Sequence, residues 1–254
     1  MRFTKMQGAG NDYVYVDGFR ERVEDPAALA IAMSRPHYGV GADGLILILP
    51  SARADFRMRM FNRDGSEGAM CGNGARCVAR FVYDYGLTDK ADFTLETGAG
   101  IRPIHLNLRD GAVASVCVDM GEPQDIRREN GMIRLSTGNP HAVIFRQDDP
   151  FAWPDFAREG ERLCRELDAN IEFVQPLGPQ RLRMRVFERG SGETLACGTG
   201  ACASLVAAHV AGLCERRAVL ALRGGELDIE WRASDGHILM TGPAETVFEG
   251  EWKL

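Results

Sequence analysis

The sequence repeats itself, and this repeat constrains the fold more than any other feature. Residues 57–75 and 183–201 align without a gap at an offset of 126 and are identical at ten of nineteen positions. A weaker match relates GNDYVYV, from Gly10, to GNPHAVIF, from Gly138. Self-similarity at a fixed offset indicates repeated architecture. We therefore predict two similar halves that arose by duplication and face each other across a pseudo-two-fold axis.

The offset is close to half of the 254 residues. We predict a first domain of residues 1–117, which carries Cys71, and a second of residues 118–254, which carries Cys197. We allow the last strand to return to the first domain.

Both halves show the same succession of patterns. Segments 56–60 and 182–186 alternate apolar and charged residues, as half-buried strands do. Apolar residues at helical spacing follow Cys71 and Cys197, and Gly86 and Gly212 stand where those helices should end. Each helix is followed by a predicted strand pair, with turns at 98–100 and 224–225. These patterns predict an α+β fold for each half.

The repeat places a cysteine at the start of each predicted helix, in Cys71-Gly72-Asn73-Gly74 and Cys197-Gly198-Thr199-Gly200. A helix start attracts anions such as a carboxylate and lowers the pKa of a cysteine. Two such thiols can act on one carbon, one removing a Cα proton and the other donating a proton to the opposite face. The pattern indicates two-base racemisation or epimerisation, with the developing negative charge stabilised at the helix starts.

The remaining five cysteines are predicted to be core residues, because free cysteine is among the most buried residue types. They are Cys77, Cys117, Cys164, Cys202 and Cys214. The alternative from a different class is a non-catalytic metal or redox protein built on Cys71, Cys77, Cys197 and Cys202. Helical phase argues against it, since Cys77 and Cys202 turn away from the helix starts and no Cys-x2-Cys spacing occurs.

Composition favours a small-molecule partner. The net charge of −6 and the pI near 5.5 give no electrostatic reason to expect nucleic acid. The N-terminus has no apolar signal region, and the longest apolar stretch is too short to cross a bilayer. We expect a cytoplasmic protein with no membrane partner.

The sequence favours neither pyridoxal phosphate nor a dinucleotide as a cofactor. A pyridoxal phosphate racemase needs a Schiff-base lysine, and neither Lys90, in a polar segment, nor Lys253, next to the end, is convincing. Residues 39–44 fit the dinucleotide pattern G-x-G-x-x-G, but they precede the strand-like segment 45–49 instead of opening a helix after a strand.

Several motifs together resemble the diaminopimelate epimerase family nearly end to end. They are KMQGAGNDYVYVD, YGVGADGLILI, FNRDGSEGAMCGNGARC, VDMGEP, STGNPHAVIF and FERGSGETLACGTGACA. The resemblance implies conversion of LL-2,6-diaminopimelate to the meso form, without metal or pyridoxal phosphate, in lysine and cell-wall precursor synthesis. It also implies two domains that close on the substrate, each a sheet wrapped around a central helix, in a homodimer.

The resemblance also assigns residues. Cys71 and Cys197 correspond to the two catalytic bases, and His141 and Glu188 to groups that orient the reacting atoms. The positions implied to bind substrate are Asn11, Asn62, Gly72, Asn73, Asn139, Asn170, Glu188, Arg189, Gly198 and Thr199. An arginine with amide donors suits a second carboxylate, and a glutamate suits a second ammonium.

Three features depart from the family pattern. Gly44 stands where some members carry a glutamine that contacts substrate, Met70 replaces a polar residue before the first cysteine, and the stretch between Pro123 and Ser136 is shorter than usual. The closest competing function is a racemase of the same fold that acts on another amino acid, such as histidine.

Overall fold

A computed structural model describes residues 1–253 of the chain. The helices are Pro26–Ser34 (α1), Gly72–Asp84 (α2), Phe156–Leu167 (α3) and Gly198–Val210 (α4). The strands are Arg2–Gly8 (β1), Asn11–Asp17 (β2), Gly44–Leu49 (β3), Phe56–Asn62 (β4), Glu67–Gly68 (β5), Asp92–Thr97 (β6), Gly100–Arg109 (β7), Ala112–Asp119 (β8), Gln124–Glu129 (β9), Met132–Ser136 (β10), Pro140–Phe145 (β11), Asn170–Gly178 (β12), Arg181–Glu188 (β13), Gly192–Glu193 (β14), Arg217–Leu222 (β15), Gly225–Trp231 (β16), Ile238–Gly242 (β17) and Glu245–Glu251 (β18).

The chain forms two compact units. Unit 1 contains Met1–Val118 and the chain from Gly242 onwards, and unit 2 contains Asp119–Thr241. The predicted boundaries were 1–117 and 118–254, with the last strand allowed to return to the first domain; the compact units divide at 118/119 and at 241/242. The last segment belongs to unit 1 because β18 pairs antiparallel with β1.

Unit 1 is a mixed sheet with a buried helix. Its strands follow the order β18, β1, β2, β3, β4, β6, β7, β8, with parallel pairs at β2–β3 and β4–β6. Helix α2 packs against β1, β2, β7 and β18. Because these strands lie towards opposite ends of the sheet, the sheet curves around α2. The shorter α1 packs against β3 and β4.

Unit 2 has the same topology. Its order is β9, β10, β11, β12, β13, β15, β16, β17, again with parallel pairs at the third and fifth steps, β11–β12 and β13–β15. Helix α4 packs against β10, β11, β12, β13, β15 and β16, and α3 against β12, β13 and β14. The α+β class predicted from the repeat is confirmed, as is a sheet around a central helix in each unit.

The repeated sequence produces repeated local structure. In both β4 and β13 apolar side chains alternate with arginines, and one arginine on each strand pairs with a glutamate on the next short strand. Arg59 Nε lies 2.7 Å from Glu67 Oε1, and Arg185 Nε lies 2.7 Å from Glu193 Oε1. Both glutamates have lowered pKa values because of these hydrogen bonds. The pairs fix the chain on its way to each cysteine.

The short stretch before Ser136 is a tight hairpin. Strands β9 and β10 are joined by Asn130 and Gly131, whose φ angles are 50° and 78°. Positive φ at both central positions is typical of a type I′ turn. The stretch is short because two residues suffice to reverse the chain.

Across residues 1–253, no helix combines the length and the apolar character needed to cross a membrane.

Candidate active site

Cys71 is the N-cap of α2. Its Sγ accepts a hydrogen bond from Gly74 N at 3.3 Å and donates to Asn11 Oδ1 at 3.3 Å. A Cβ at Gly74 would lie 2.6 Å from Ile46 Cδ1, so a larger residue there would have to displace the Ile46 side chain. Cys71 is partly exposed, whereas Asn73 is buried in the first turn.

Cys197 is the N-cap of α4 in the same geometry. Its Sγ accepts from Gly200 N at 3.4 Å and lies 3.4 Å from the Thr199 hydroxyl. The Thr137 hydroxyl donates to Thr199 O at 3.1 Å and fixes the loop to β10. Cys197 is more deeply buried than Cys71, at 5% exposure.

Both helix starts suit an anion. Neither first turn contains an acidic residue. The first N–H groups of a helix point out of its end, where the macrodipole is positive. In this chain those groups belong to Gly72 and Asn73 in α2 and to Gly198 and Thr199 in α4. Each start can therefore hold a carboxylate beside a thiol.

Acidic groups surround Cys197. Burial raises its pKa well above the usual range, and the charges of Glu188 and Glu172 act in the same direction. Burial also raises the pKa of Glu188, which accepts hydrogen bonds from Thr194 and Cys197 that oppose the shift. Glu188 can therefore accept the proton of the Cys197 thiol.

His141 lies in a buried polar chain. Its Nδ1 is 2.7 Å from Glu172 Oε1, with both side chains fully buried, and its Nε2 is 3.0 Å from Asn139 Oδ1. A buried imidazole bonded at both nitrogens has a fixed ring orientation. His141 thereby holds the side chain of Asn139 in place.

Glu172 was not predicted from the sequence to belong to the site. A signal was present, because Glu172 interrupts the apolar run of β12 and its repeat counterpart is Ile46. Asp43 was not predicted either, although its Oδ2 accepts from Asn11 Nδ2 at 2.7 Å. Asp43 lies within the rejected dinucleotide motif, so the residues that resemble a nucleotide loop instead hold a side chain next to Cys71.

The remaining predicted residues lie on strands of the two sheets. In unit 1, Asn62 pairs with Gly44 across β3 and β4, and its Nδ2 donates to Ser66. In unit 2, Asn170 pairs with His141, and its Oδ1 accepts from Arg189 N at 2.9 Å. Asn170 thus supports the backbone of the residue predicted to bind a carboxylate.

The Arg189 side chain is 48% exposed and lies 3.0 Å from Asp168 Oδ1. An exposed ion pair of this kind contributes little to stability. The guanidinium can therefore exchange Asp168 for a substrate carboxylate at small cost.

Gly44 follows from local packing. A Cβ there would lie 2.0 Å from Phe61 O and 2.8 Å from Tyr13 Cε1, so this backbone accepts no side chain. Met70, the second departure, is partly exposed next to Cys71.

The five cysteines assigned to the core divide into two groups. Cys77, Cys164 and Cys202 are buried, as predicted. Cys117 and Cys214 are only partly buried, which corrects the prediction for these two. Cys117 lies on β8, and Cys214 lies in the turn after α4, where its Sγ donates to Glu215 O at 3.2 Å. Cys77 and Cys202 lie inside their helices, away from the loops that an alternative metal site would need.

The fold of the chain is similar to that of known structures. The chain resembles a phenazine biosynthesis protein of the PhzF family from Bacillus anthracis at a TM-score of 0.79 and 19% identity, covering 100% of this chain and 99% of the other. It resembles a hydroxyproline epimerase from Agrobacterium vitis at a TM-score of 0.75 and 16% identity, covering 98% and 90%. At these identities the likeness shows the shared fold.

Sequence relatives give the family. The family model described as diaminopimelate epimerase matches residues 3–126 and 134–247. The diaminopimelate epimerase of Bacteroides thetaiotaomicron is 49% identical over 99% of this chain and 97% of the relative. That of Acetivibrio thermocellus is 48% identical over 100% and 99%, and that of Methanococcus maripaludis strain C6 46% over 99% and 99%.

Fold, cysteine loops and relatives together define an isomerase of the epimerase and racemase class. Within that class, the chain belongs to the diaminopimelate epimerase family.

Proposed function

We propose that this chain converts LL-2,6-diaminopimelate to the meso isomer, a step towards lysine and peptidoglycan precursors. Full-length identity of 45–49% to diaminopimelate epimerases carries the proposal. The duplicated cysteine caps supply the chemistry that such a reaction requires.

The proposed chemistry uses Cys71 and Cys197 as a pair. One thiolate removes the Cα proton and becomes a thiol. The electron pair left on the carbon delocalises into the adjacent carboxylate, and the other thiol then donates its proton to the opposite face of the carbon. Protons and charge balance, because one thiolate and one thiol remain with their roles exchanged. No outside oxidant, reductant or co-reactant is consumed.

The helix starts stabilise the intermediate. Proton removal puts additional negative charge on the reacting carboxylate. The N–H groups of Gly72, Asn73, Gly198 and Thr199 suit that charge, and preorganised donors stabilise the transition state more than the substrate. Glu188 is proposed to exchange a proton with Cys197, and His141 to hold Asn139 against the substrate.

The distal end of the substrate carries a second ammonium and carboxylate. We assign the carboxylate to Arg189, whose backbone N–H is held by Asn170. We propose that Asn62 and Asn11 also bind the substrate. A histidine substrate has no distal carboxylate, so Arg189 favours diaminopimelate over histidine.

The test is epimerisation in D2O. Reduced protein is incubated with LL-diaminopimelate while NMR follows deuterium at Cα and chromatography follows the isomers. We expect wild type to form the meso isomer with deuterium at the inverted carbon, and Cys71→Ala and Cys197→Ala to lose epimerisation. Turnover of histidine but not diaminopimelate would assign the chain to a sister racemase.

We also propose a cytoplasmic homodimer. Strand β18 is exposed along most of its length, with Val247 at 55% and Phe248 at 45% exposure. Exposed apolar side chains grouped on one strand are typical of an interaction surface. Light scattering of wild type and Val247→Lys tests it: a wild type with the mass of one chain would contradict the dimer.

A further inference from the structure

Unit 1 contains a surface cavity of about 350 Å³ beside β5, the short strand that leads to Cys71. The cavity is formed by β4, β5 and the end of β6, and its charged lining is Arg57, Arg59, Glu67 and Glu96. A cavity of this volume can hold a small organic molecule. All of its lining residues belong to unit 1, and none is among the residues predicted to bind the substrate.

Arg57 is an exposed arginine without an ion-pair partner among residues 1–253. Its counterpart at the repeat offset of 126 has one, because Arg183 Nη1 lies 2.6 Å from Asp149 Oδ2. At the offset of 128 that relates the preceding strands, β2 and β11, Asp149 corresponds to Glu21. Glu21 instead accepts from Arg2 N at 2.9 Å. Unit 1 therefore lacks the carboxylate that unit 2 supplies at this position.

A cation is missing from the same cavity. In unit 2, Glu193 pairs with two arginines, and the second is Arg223, whose Nη1 lies 2.5 Å from Glu193 Oε1. The pairing of β6 with β4 matches that of β15 with β13 at an offset of 125, so Arg223 corresponds to Gly98. Glu67, the counterpart of Glu193, keeps the first arginine pair, but Gly98 has no side chain that could supply the second.

Glu96 adds an acid that unit 2 does not have at the equivalent position, where Ala221 stands. Arg57 and Glu96 are cross-strand neighbours in β4 and β6, so their side chains leave the same face of the sheet. Glu96 is held from the other side, because Ser51 Oγ donates to its Oε2 at 2.5 Å and Arg53 Nη1 lies 3.7 Å from its Oε1. The carboxylate therefore stands beside the Arg57 guanidinium without pairing with it.

We propose that this cavity is a second binding site, for a free α-amino acid whose carboxylate binds Arg57 and whose ammonium binds Glu96 and Glu67. Charge-assisted hydrogen bonds of this kind are the strong ones. The ligand would supply, in one molecule, the carboxylate and the cation that unit 2 takes from Asp149 and Arg223. Only a free amino acid carries both charges on one carbon, which distinguishes it from either end of a peptide.

The site lies next to the loop that carries the first cysteine. Gly68 and Ala69 also line the cavity, and Ala69 O accepts from Ala99 N at 3.0 Å. A bound amino acid would therefore contact the chain two residues before Cys71. The proposal concerns binding within unit 1 and does not depend on which reaction the cysteines perform.

The test is binding of three probes of similar length, followed by saturation-transfer NMR titration. L-Norleucine carries both charges, hexanoate carries the carboxylate alone, and pentylamine carries the ammonium alone. We expect norleucine to bind in the millimolar range. The other two should bind about tenfold more weakly, because each lacks one charge-assisted contact.

Arg57→Gln and Glu96→Gln should each weaken norleucine binding about tenfold. Arg165→Gln is the matched control, because this exposed arginine of unit 2 pairs with Glu161 and should not affect binding. Arg189→Gln should also leave binding unchanged, which separates the cavity from the proposed substrate site. Circular dichroism checks the fold of each variant, and the comparison of probes on wild type keeps the test valid if a variant fails to fold.

Three results would overturn the proposal: norleucine does not bind wild type, it binds folded Arg57→Gln as tightly as wild type, or it binds no better than hexanoate. Because the readout needs no turnover, its failure is distinct from failure of the proposed function.

Discussion

Asn11 and Asn139 occupy matching positions in the repeat. An acidic residue fixes the side chain of each, directly in unit 1 and through a histidine in unit 2. Asn11 bonds Asp43 directly, whereas Asn139 bonds His141, which in turn bonds Glu172. Amide side chains are useful substrate ligands only when their orientation is fixed, because oxygen and nitrogen present opposite hydrogen-bonding roles. In each unit the acid behind the amide contributes to the site without needing to touch the substrate.

We predict that Glu188→Gln lowers epimerisation about 100-fold or more, the typical contribution of a positioned acid or base. Gln keeps the shape of the side chain and can accept from Thr194, but it cannot take a proton from Cys197. Kinetics on diaminopimelate would measure this, with Glu226→Gln as the control, because that carboxylate is exposed and, within residues 1–253, pairs only with the exposed Arg181 on the neighbouring part of unit 2. Unchanged kcat in Glu188→Gln would remove Glu188 from the proton path.

The central helices α2 and α4 end in the same way, each followed by a glycine with a positive φ angle. Gly86 follows α2 at φ 68° and Gly212 follows α4 at φ 75°, and a Cβ at either position would meet nothing within 4 Å. Sterically the two sites are open, so the cost of a side chain is confined to the backbone conformation. Substitution of either glycine therefore measures the free-energy cost of the left-handed backbone conformation by itself.

We predict that Gly86→Ala and Gly212→Ala each lower the free energy of unfolding by about 1 kcal/mol, the cost of a left-handed conformation for an L residue. Urea denaturation would measure this, and epimerase activity should persist. Gly160→Ala in α3 is the contrasting variant: its Cβ would lie 2.7 Å from Phe187 Cβ, so it should cost more. Equal effects at all three positions would contradict the distinction.

Asp55 ties the start of β4 to β6. It accepts hydrogen bonds from Lys90, Thr94 N and the Thr94 hydroxyl, which lower its pKa from 3.8 to about 2. A carboxylate with a lowered pKa in the folded state stabilises the fold above its unfolded pKa. That stability is lost as the pH falls through the folded value.

We therefore predict that Asp55→Asn lowers the free energy of unfolding at pH 7 by about 1 kcal/mol, a value reduced for the partial exposure of the pair. The difference from wild type should shrink between pH 4 and pH 2. Urea denaturation across this pH range would show it, and a difference that is constant with pH would contradict the linkage.

The strands and helices could be predicted from the sequence where their patterns are local. The repeat predicted β4, β13, α2 and α4 because alternation, helical spacing and end glycines are local patterns. The break in the apolar run of β12 marked Glu172 as unusual, but the repeat could not predict its contact with the start of α4, or the bond from Asn11 to Asp43, because both depend on tertiary structure. Return of the last strand to the first unit was allowed for, but its pairing with β1 is a long-range contact that no local pattern shows. Cys117 and Cys214 were misassigned because average burial preferences ignore the position of a residue at a strand or turn.

At the scale of the whole molecule, two copies of one topology carry the proposed reaction on groups of the protein itself. Thiols, carboxylates and helix starts supply the base, the acid and the charge stabilisation. Each unit repeats the same order of eight strands, so the site residues reach comparable positions in each.

We predict that activity survives dialysis against EDTA and treatment with hydroxylamine, which removes pyridoxal phosphate, and is lost on alkylation with iodoacetamide. Substrate should protect against alkylation, because it would occupy the helix starts next to the thiols. The rate of meso-isomer formation measures each case. Loss of activity with EDTA that added metal restores would contradict a purely thiol-based reaction.

The return of β18 to β1 also bears on how the chain folds during synthesis. Unit 2 is one continuous stretch, whereas unit 1 is interrupted by it and needs β18 to complete its sheet. The ribosome therefore releases all of unit 2 before the first unit has its last strand. The N-terminal strands of unit 1 cannot complete their sheet until β18 has been synthesised. The hydrogen bond from the Met1 amine to Trp252 O, at 3.0 Å, can form only after this last strand has been made.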